Sequence, residues 1–184
     1  MRIRLLISVA LLAGMFPARS VAEPSTPGVT MHLILSTPAF ASGQPLPQRY
    51  AYQDRNLSPP LQWQGVPPAA QSLALICDDP DAPRGIWVHW VLYDLPPNIA
   101  SLAENIPKVP VLANGAKQGL NDYQQLGYGG PCPPPGPPHR YFFKLYALDK
   151  VTGLPAGATK KDLLQAMTGH VLAQGQWMGT YQTQ

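Results

Sequence analysis

Six of the ten residues from Gly129 to Pro138 are proline and three are glycine, in the order Gly-Gly-Pro-Cys-Pro-Pro-Pro-Gly-Pro-Pro. Proline lacks an amide donor and fixes φ, so this stretch cannot enter a helix interior or a central strand. It must be a stiff loop that holds one shape without regular structure. The same constraint runs through the whole chain, where 23 prolines and 16 glycines accompany a charged fraction of only 12%. That balance predicts many short strands joined by tight turns rather than a helical protein.

Four segments dense in aliphatic, β-branched or aromatic residues and bounded by turn residues read as strands: Met31–Leu35, Ser72–Cys77, Trp87–Asp94 and Tyr141–Leu148. One helix is signalled near the end. Thr159 can cap it, Asp162 sits three residues on, Leu163, Leu164 and Met167 form an apolar stripe, and Gly169 suits the exit. A last strand is predicted through Trp177 to Tyr181, and a short helix around Leu102.

The N-terminus reads as a cleavable leader. Arg2 and Arg4 precede an apolar run from Leu5 to Phe16, too short to span a bilayer, and Ser20-Val21-Ala22 offers small residues at the first and third places. Cleavage is placed after Ala22, giving a signal peptide at 1–22, a flexible arm at 23–30 and one domain at 31–184, with no transmembrane segment in the mature chain. The protein is then periplasmic or secreted. Arg2, Arg4 and Arg19 leave with the leader, so 13 basic residues fall to 10 against 10 acidic ones. A duplex-binding protein needs a surplus of Lys and Arg, so nucleic acid is not an expected partner. The two cysteines, Cys77 and Cys132, lack Cys-x-x-Cys spacing. They are either separate thiols or one disulfide formed on export.

Three places concentrate polar groups among apolar strands. In Asp78-Asp79-Pro80-Asp81-Ala82-Pro83, two prolines force the chain out of the sheet and hold carboxylates at a strand end. In Trp87–Tyr93, uniform alternation puts Trp87, His89, Val91 and Tyr93 on one face and Val88, Trp90 and Leu92 on the other. After the proline loop, His139 and Tyr141 share a face and Arg140 points away, as a solvated or salt-bridged charge. Taken singly, Asp79 and Asp81 are turn formers and His89 a satisfied strand histidine. Their joint occurrence in order is what no single ordinary explanation covers.

The segments Asn56-Leu57-Ser58-Pro59-Pro60-Leu61-Gln62-Trp63, Asp79-Pro80-Asp81-Ala82-Pro83, Trp87-Val88-His89-Trp90, Gly127-Tyr128-Gly129-Gly130-Pro131-Cys132-Pro133-Pro134 and His139-Arg140-Tyr141 resemble, in order, the signature blocks of the phosphatidylethanolamine-binding protein family. The similarity runs from about Met31 to Tyr181 and is nearest the bacterial Raf-kinase-inhibitor-like branch. It implies a mainly β, antiparallel two-sheet fold with a few short peripheral helices, and a shallow cavity for phosphate-like anions or phosphorylated small molecules. By the matching motifs it implies Asp79, Asp81, Trp87, His89, His139 and Tyr141 as pocket residues, with Gly130, Cys132 and Pro133 in the rim loop. Cys132 departs from the eukaryotic pattern, which has glycine there. Two imidazoles, a phenol and loop amides can meet an oxyanion without a permanent positive charge, and Asp79 reads as an orienter of histidine rather than a direct ligand.

No cofactor is called for, and an enzyme is not expected. A hydrolase would use the same histidines, but no Gly-x-Ser-x-Gly elbow supplies a nucleophile and Cys132 lies between prolines. A metal site would need closer histidine spacing than His89 and His139 offer. A protein-interaction role, such as protease inhibition, would use the pocket rim, and no docking motif identifies a protein partner.

Overall fold

The computed structural model describes residues 31–183; the leader and arm expected at 1–30 lie outside the described residues. Among the described residues, nine strands and one α-helix follow in the order β1 (Met31–His32), β2 (Ile34–Ser36), β3 (Leu61–Gln64), β4 (Ser72–Asp79), β5 (Trp87–Leu95), β6 (Ser101–Leu102), β7 (Lys117–Gln118), β8 (His139–Leu148), α1 (Lys160–Met167) and β9 (Val171–Tyr181). They form a six-stranded sheet, β1-β9-β8-β4-β5-β7, and a three-stranded sheet, β2-β3-β6. Every pairing is antiparallel except that of β1 with β9.

Strand β4 lies at the centre and is buried along its whole length. Its unbroken apolar run is what a strand covered on both faces requires. On one face, Leu73, Leu75 and Cys77 join Trp90, Leu92, Phe143 and Leu145 against Leu35, Leu61 and Trp63 of the small sheet. On the other, Ala74 and Ile76 join Val88, Val91 and Tyr93 beneath Leu163 and Met167 of α1. Truncating one of these fully buried leucines to alanine costs about 2–5 kcal/mol. The helix begins as anticipated: Thr159 and Asp162 form a reciprocal capping box, satisfying two amides that would otherwise be orphaned.

Two expectations are corrected. The single strand at Met31–Leu35 is two strands in different sheets, with Leu33 at the crossing. Its amide donates to Gln174 O at 2.9 Å, and its carbonyl passes so close to Gly175 that a Cβ there would lie 2.1 Å away. Only glycine in β9 permits that crossing. Ser101–Leu102 is extended rather than helical, because pairing with β3 places Leu102 in the core between the sheets. Tertiary pairing overrides a weak local pattern there.

Candidate ligand pocket

The pocket is built where β4, β5 and β8 end on the same edge of the large sheet. Asp79 closes β4, Trp87 opens β5 and pairs with it, and His139 opens β8. Asp79, Ala82, Pro83, Trp87, His89, Tyr123, Cys132, Pro133, Pro134, His139 and Tyr141 enclose about 270 Å³. That volume suits a small ligand or the head group of a larger one.

Asp79 is almost fully buried and uses both oxygens. Oδ1 accepts the Asp81 amide at 2.8 Å, closing the turn that Pro80 begins. Oδ2 lies 2.7 Å from His139 Nδ1. Turn former and histidine orienter are therefore one residue in one conformation. The carboxylate fixes the His139 ring and holds the Nδ1 proton, leaving Nε2 as the second ring nitrogen.

His89 does not obey uniform alternation. Val88 pairs with Asp78 and Trp90 with Cys77, so His89 is the extra residue of a β-bulge. From Trp90 onward the faces are exchanged relative to the expected pattern. Trp90 and Leu92 enter the core between the sheets, while Val91 and Tyr93 join Val88 under α1. A neighbouring loop satisfies the bulged backbone: Asp122 N donates to Val88 O, Val88 N donates to Asp122 Oδ2, and Gly129 N donates to His89 O. The His89 ring is 2% exposed and its Nδ1 lies 2.6 Å from Gly129 O. Burial pushes its pKa below the ordinary imidazole value, against smaller raising effects of the Gly129 carbonyl and the Asp79 charge.

The walls are aromatic. Tyr141 meets the His89 ring edge-on at 5.1 Å. Tyr123 stacks on Tyr52 at 4.3 Å and meets Trp87 edge-on at 5.3 Å. Trp87 Nε1 and Tyr141 Oη are buried without a hydrogen-bond partner among the described residues. Burial, the largest influence, pushes the Tyr141 phenol well up, so it remains a protonated donor.

The structure assembles Asp79, Trp87, His89, Cys132, Pro133, His139 and Tyr141 around one cavity, but not Asp81 or Gly130. Asp81 is held outside by Arg140, whose backbone amide, Nε and Nη2 donate to its carboxylate at 3.0, 2.9 and 2.7 Å. These bonds hold its acid pKa down at about 2. Gly130 is a packing residue, since a Cβ there would lie 2.0 Å from Tyr50 O. Its amide donates to Asn56 Oδ1 at 2.8 Å and its carbonyl accepts from Tyr123 Oη at 3.0 Å. Asn56, in the Asn-Leu-Ser-Pro-Pro block, thus braces the rim loop. Tyr123 was missed: it lies in a loop with no strand or motif signal, and only that loop's bonding to bulged β5 brings it to the cavity. Cys77 and Cys132 are both free thiols, the first buried in β4 and the second on the pocket wall. Among the described residues, no three His, Cys, Asp or Glu side chains converge as a metal site.

The family model described as phosphatidylethanolamine-binding protein matches residues 36–182. A UPF0098 protein of Methanothermobacter thermautotrophicus is 54% identical over 147 residues, covering 80% of this chain and 97% of the relative. A UPF0098 protein of Chlamydia trachomatis is 44% identical over 153 residues, covering 80% and 97%. Among solved structures, a putative phosphatidylethanolamine-binding protein homolog, CT736 of Chlamydia trachomatis, superposes with a TM-score of 0.76 at 42% identity, covering 84% of this chain and all of that one. YbcL of E. coli, described as a new member of the mammalian PEBP family, superposes with a TM-score of 0.76 at 28% identity, covering 83% and 99%.

Proposed function

The chain belongs to the phosphatidylethanolamine-binding protein family, and from that premise we propose that its pocket binds phosphate-like anions or phosphorylated small molecules without turning them over. The observation that carries this reading is Tyr141: its ring is 1% exposed and lines the cavity, yet its hydroxyl has no partner. A buried donor left unsatisfied costs about 1–3 kcal/mol, so a bound oxyanion that accepts from it recovers that cost. His139, fixed through Nδ1 by Asp79, adds a second polar group to the cavity, and among the described residues no lysine or arginine lines it. Binding of moderate strength and easy release follow from a site without a permanent positive charge.

Isothermal titration of the purified chain with phosphate tests the reading. One site should appear, weakened about tenfold or more by Tyr141→Phe, which keeps the ring and removes the donor. Equal affinity in wild type and variant, or no binding, contradicts it.

A hydrolytic use is the second reading, favoured by Cys132 on the wall of the cavity that holds the Asp79-oriented His139. Steady ligand consumption abolished by Cys132→Ser would establish it over simple binding.

The same proposal places the protein outside the cytoplasm after removal of residues 1–22, supported by the charged start, the short apolar run and Ser20-Val21-Ala22. Intact-mass analysis of the extracytoplasmic protein should begin at Glu23. Protein retaining Met1 in the cytoplasm contradicts the placement.

A further inference from the structure

We propose that the pocket selects an oxyanion that still carries a proton, hydrogen phosphate above all, over a fully ionised anion of the same shape and charge such as sulfate. The inference rests on the anion-pocket reading and adds the protonation state of the ligand. It begins at His89. A carbonyl oxygen can only accept, so the 2.6 Å contact with Gly129 O places the proton on Nδ1. In the neutral ring Nε2 is then a lone pair, an acceptor rather than a donor. The groups around that ring do not favour the imidazolium strongly enough to change this. Asp79 at the end of β4 and Asp122 in the loop beside β5 act to raise its pKa, but burial of the ring outweighs both. Tyr123 and Tyr141 meet it edge-on as neutral phenols. His139 and Cys132 complete the titratable lining of the cavity.

The cavity therefore presents both polarities. Among the described residues Tyr141 Oη and Trp87 Nε1 are buried donors without partners, and His89, like a neutral His139 whose Nδ1 faces the Asp79 carboxylate, contributes an Nε2 acceptor. A ligand that satisfies donors and acceptors together needs lone pairs and at least one O–H. Hydrogen phosphate has both, whereas sulfate at neutral pH has lone pairs only. Sulfate would set a bare oxygen against the His89 lone pair in a site of low polarity, or would have to protonate His89 against the cost of its burial.

The test is calorimetric titration of the purified chain with inorganic phosphate and with sulfate at pH 8, where both anions are chiefly doubly charged tetrahedra and differ by one proton. Phosphate is expected to bind at least tenfold more tightly. Sulfate affinity should then rise as the pH is lowered toward 5 and His89 is driven to its cation, which converts the acceptor to a donor. His89→Gln offers an amide N–H in place of the lone pair and should narrow the difference at pH 8. Equal affinities for the two anions at pH 8 would overturn proton selection while leaving the anion pocket standing. Failure of either anion to bind at any pH would overturn the pocket reading and this inference with it. The pH series requires no variant, so it decides the matter even if His89→Gln does not fold.

Discussion

Asp79 and His139, 60 residues apart in sequence, meet at 2.7 Å with both side chains nearly buried, while the second Asp79 oxygen closes the turn at Asp81. One carboxylate thus ties the Asp-Pro-Asp turn to the start of β8 and sets the orientation of a pocket imidazole. Asp79→Asn keeps the shape but replaces a charged acceptor with a neutral amide. The expected cost is about 1–3 kcal/mol in stability, read from chemical denaturation, together with weaker phosphate binding. A variant as stable as wild type would show that the His139 contact contributes nothing net.

Its neighbour Asp78 faces the other way. Nearly fully buried, it accepts from Lys144 at 2.8 Å and from Lys160 at 2.5 Å, joining β4 to β8 and to the first turn of α1. Removing one partner of a buried pair costs about 3–5 kcal/mol because the remaining charge is stranded. Replacing Lys144 and Lys160 together with methionine strands the buried Asp78 carboxylate, so this double variant should fall in that range by urea denaturation and leave the phosphate affinity of the folded fraction unchanged. A loss below about 1 kcal/mol would contradict the structural role assigned to it.

The Asp81–Arg140 pair sets an acid limit. Because the folded-state pKa of Asp81 is held down at about 2 against 3.8, the unfolded chain binds more protons between these values. The pair's stabilisation is therefore fully present above pH 3.8 and lost as the pH falls toward 2. Both side chains are partly exposed, so solvent screens the effect and it should be modest. Thermal melts of Arg140→Gln should converge on wild type as the pH is lowered through that window. A gap that stays constant with pH would remove the ion pair as the cause.

Six prolines leave the Gly129–Pro138 loop few amides with which to brace itself, and the C-terminal tail supplies further donors. Thr183 Oγ1 donates to Pro133 O at 2.6 Å and Gln182 Nε2 to Gly136 O at 2.7 Å. Replacing both residues with alanine should weaken phosphate binding a few-fold through a looser rim, with little change in melting temperature. Unchanged affinity would show that the loop holds its shape alone.

Much of this architecture was legible in residue patterns because the governing interactions are local. The capping box at Thr159 and Asp162 and the alternation of His139 and Tyr141 need only near neighbours. What escaped depends on partners far along the chain. The bulge at His89 arises because the Asp122–Gly129 loop bonds to β5, and uniform alternation has no means of announcing an inserted residue. Tyr123 reaches the pocket on the same loop. Asp81 and Gly130 sit in the right motifs, but Arg140 occupies the first and close packing against Tyr50 explains the second. A motif gives the segment that approaches a site; the register decides which of its residues face it.

The central claim is that His89 and His139 border a phosphate-binding cavity, and the histidine ring signals report on it directly. Titrating the purified chain with phosphate to millimolar concentration while recording those signals by NMR should move both, saturably and with one dissociation constant. The same addition to Tyr141→Phe should need about tenfold more phosphate. The outlying His170, paired with Asp149 away from the pocket, serves as the internal control and should stay in place. Unmoved His89 and His139 signals at millimolar phosphate, or shifts equal to that of His170, would contradict the account.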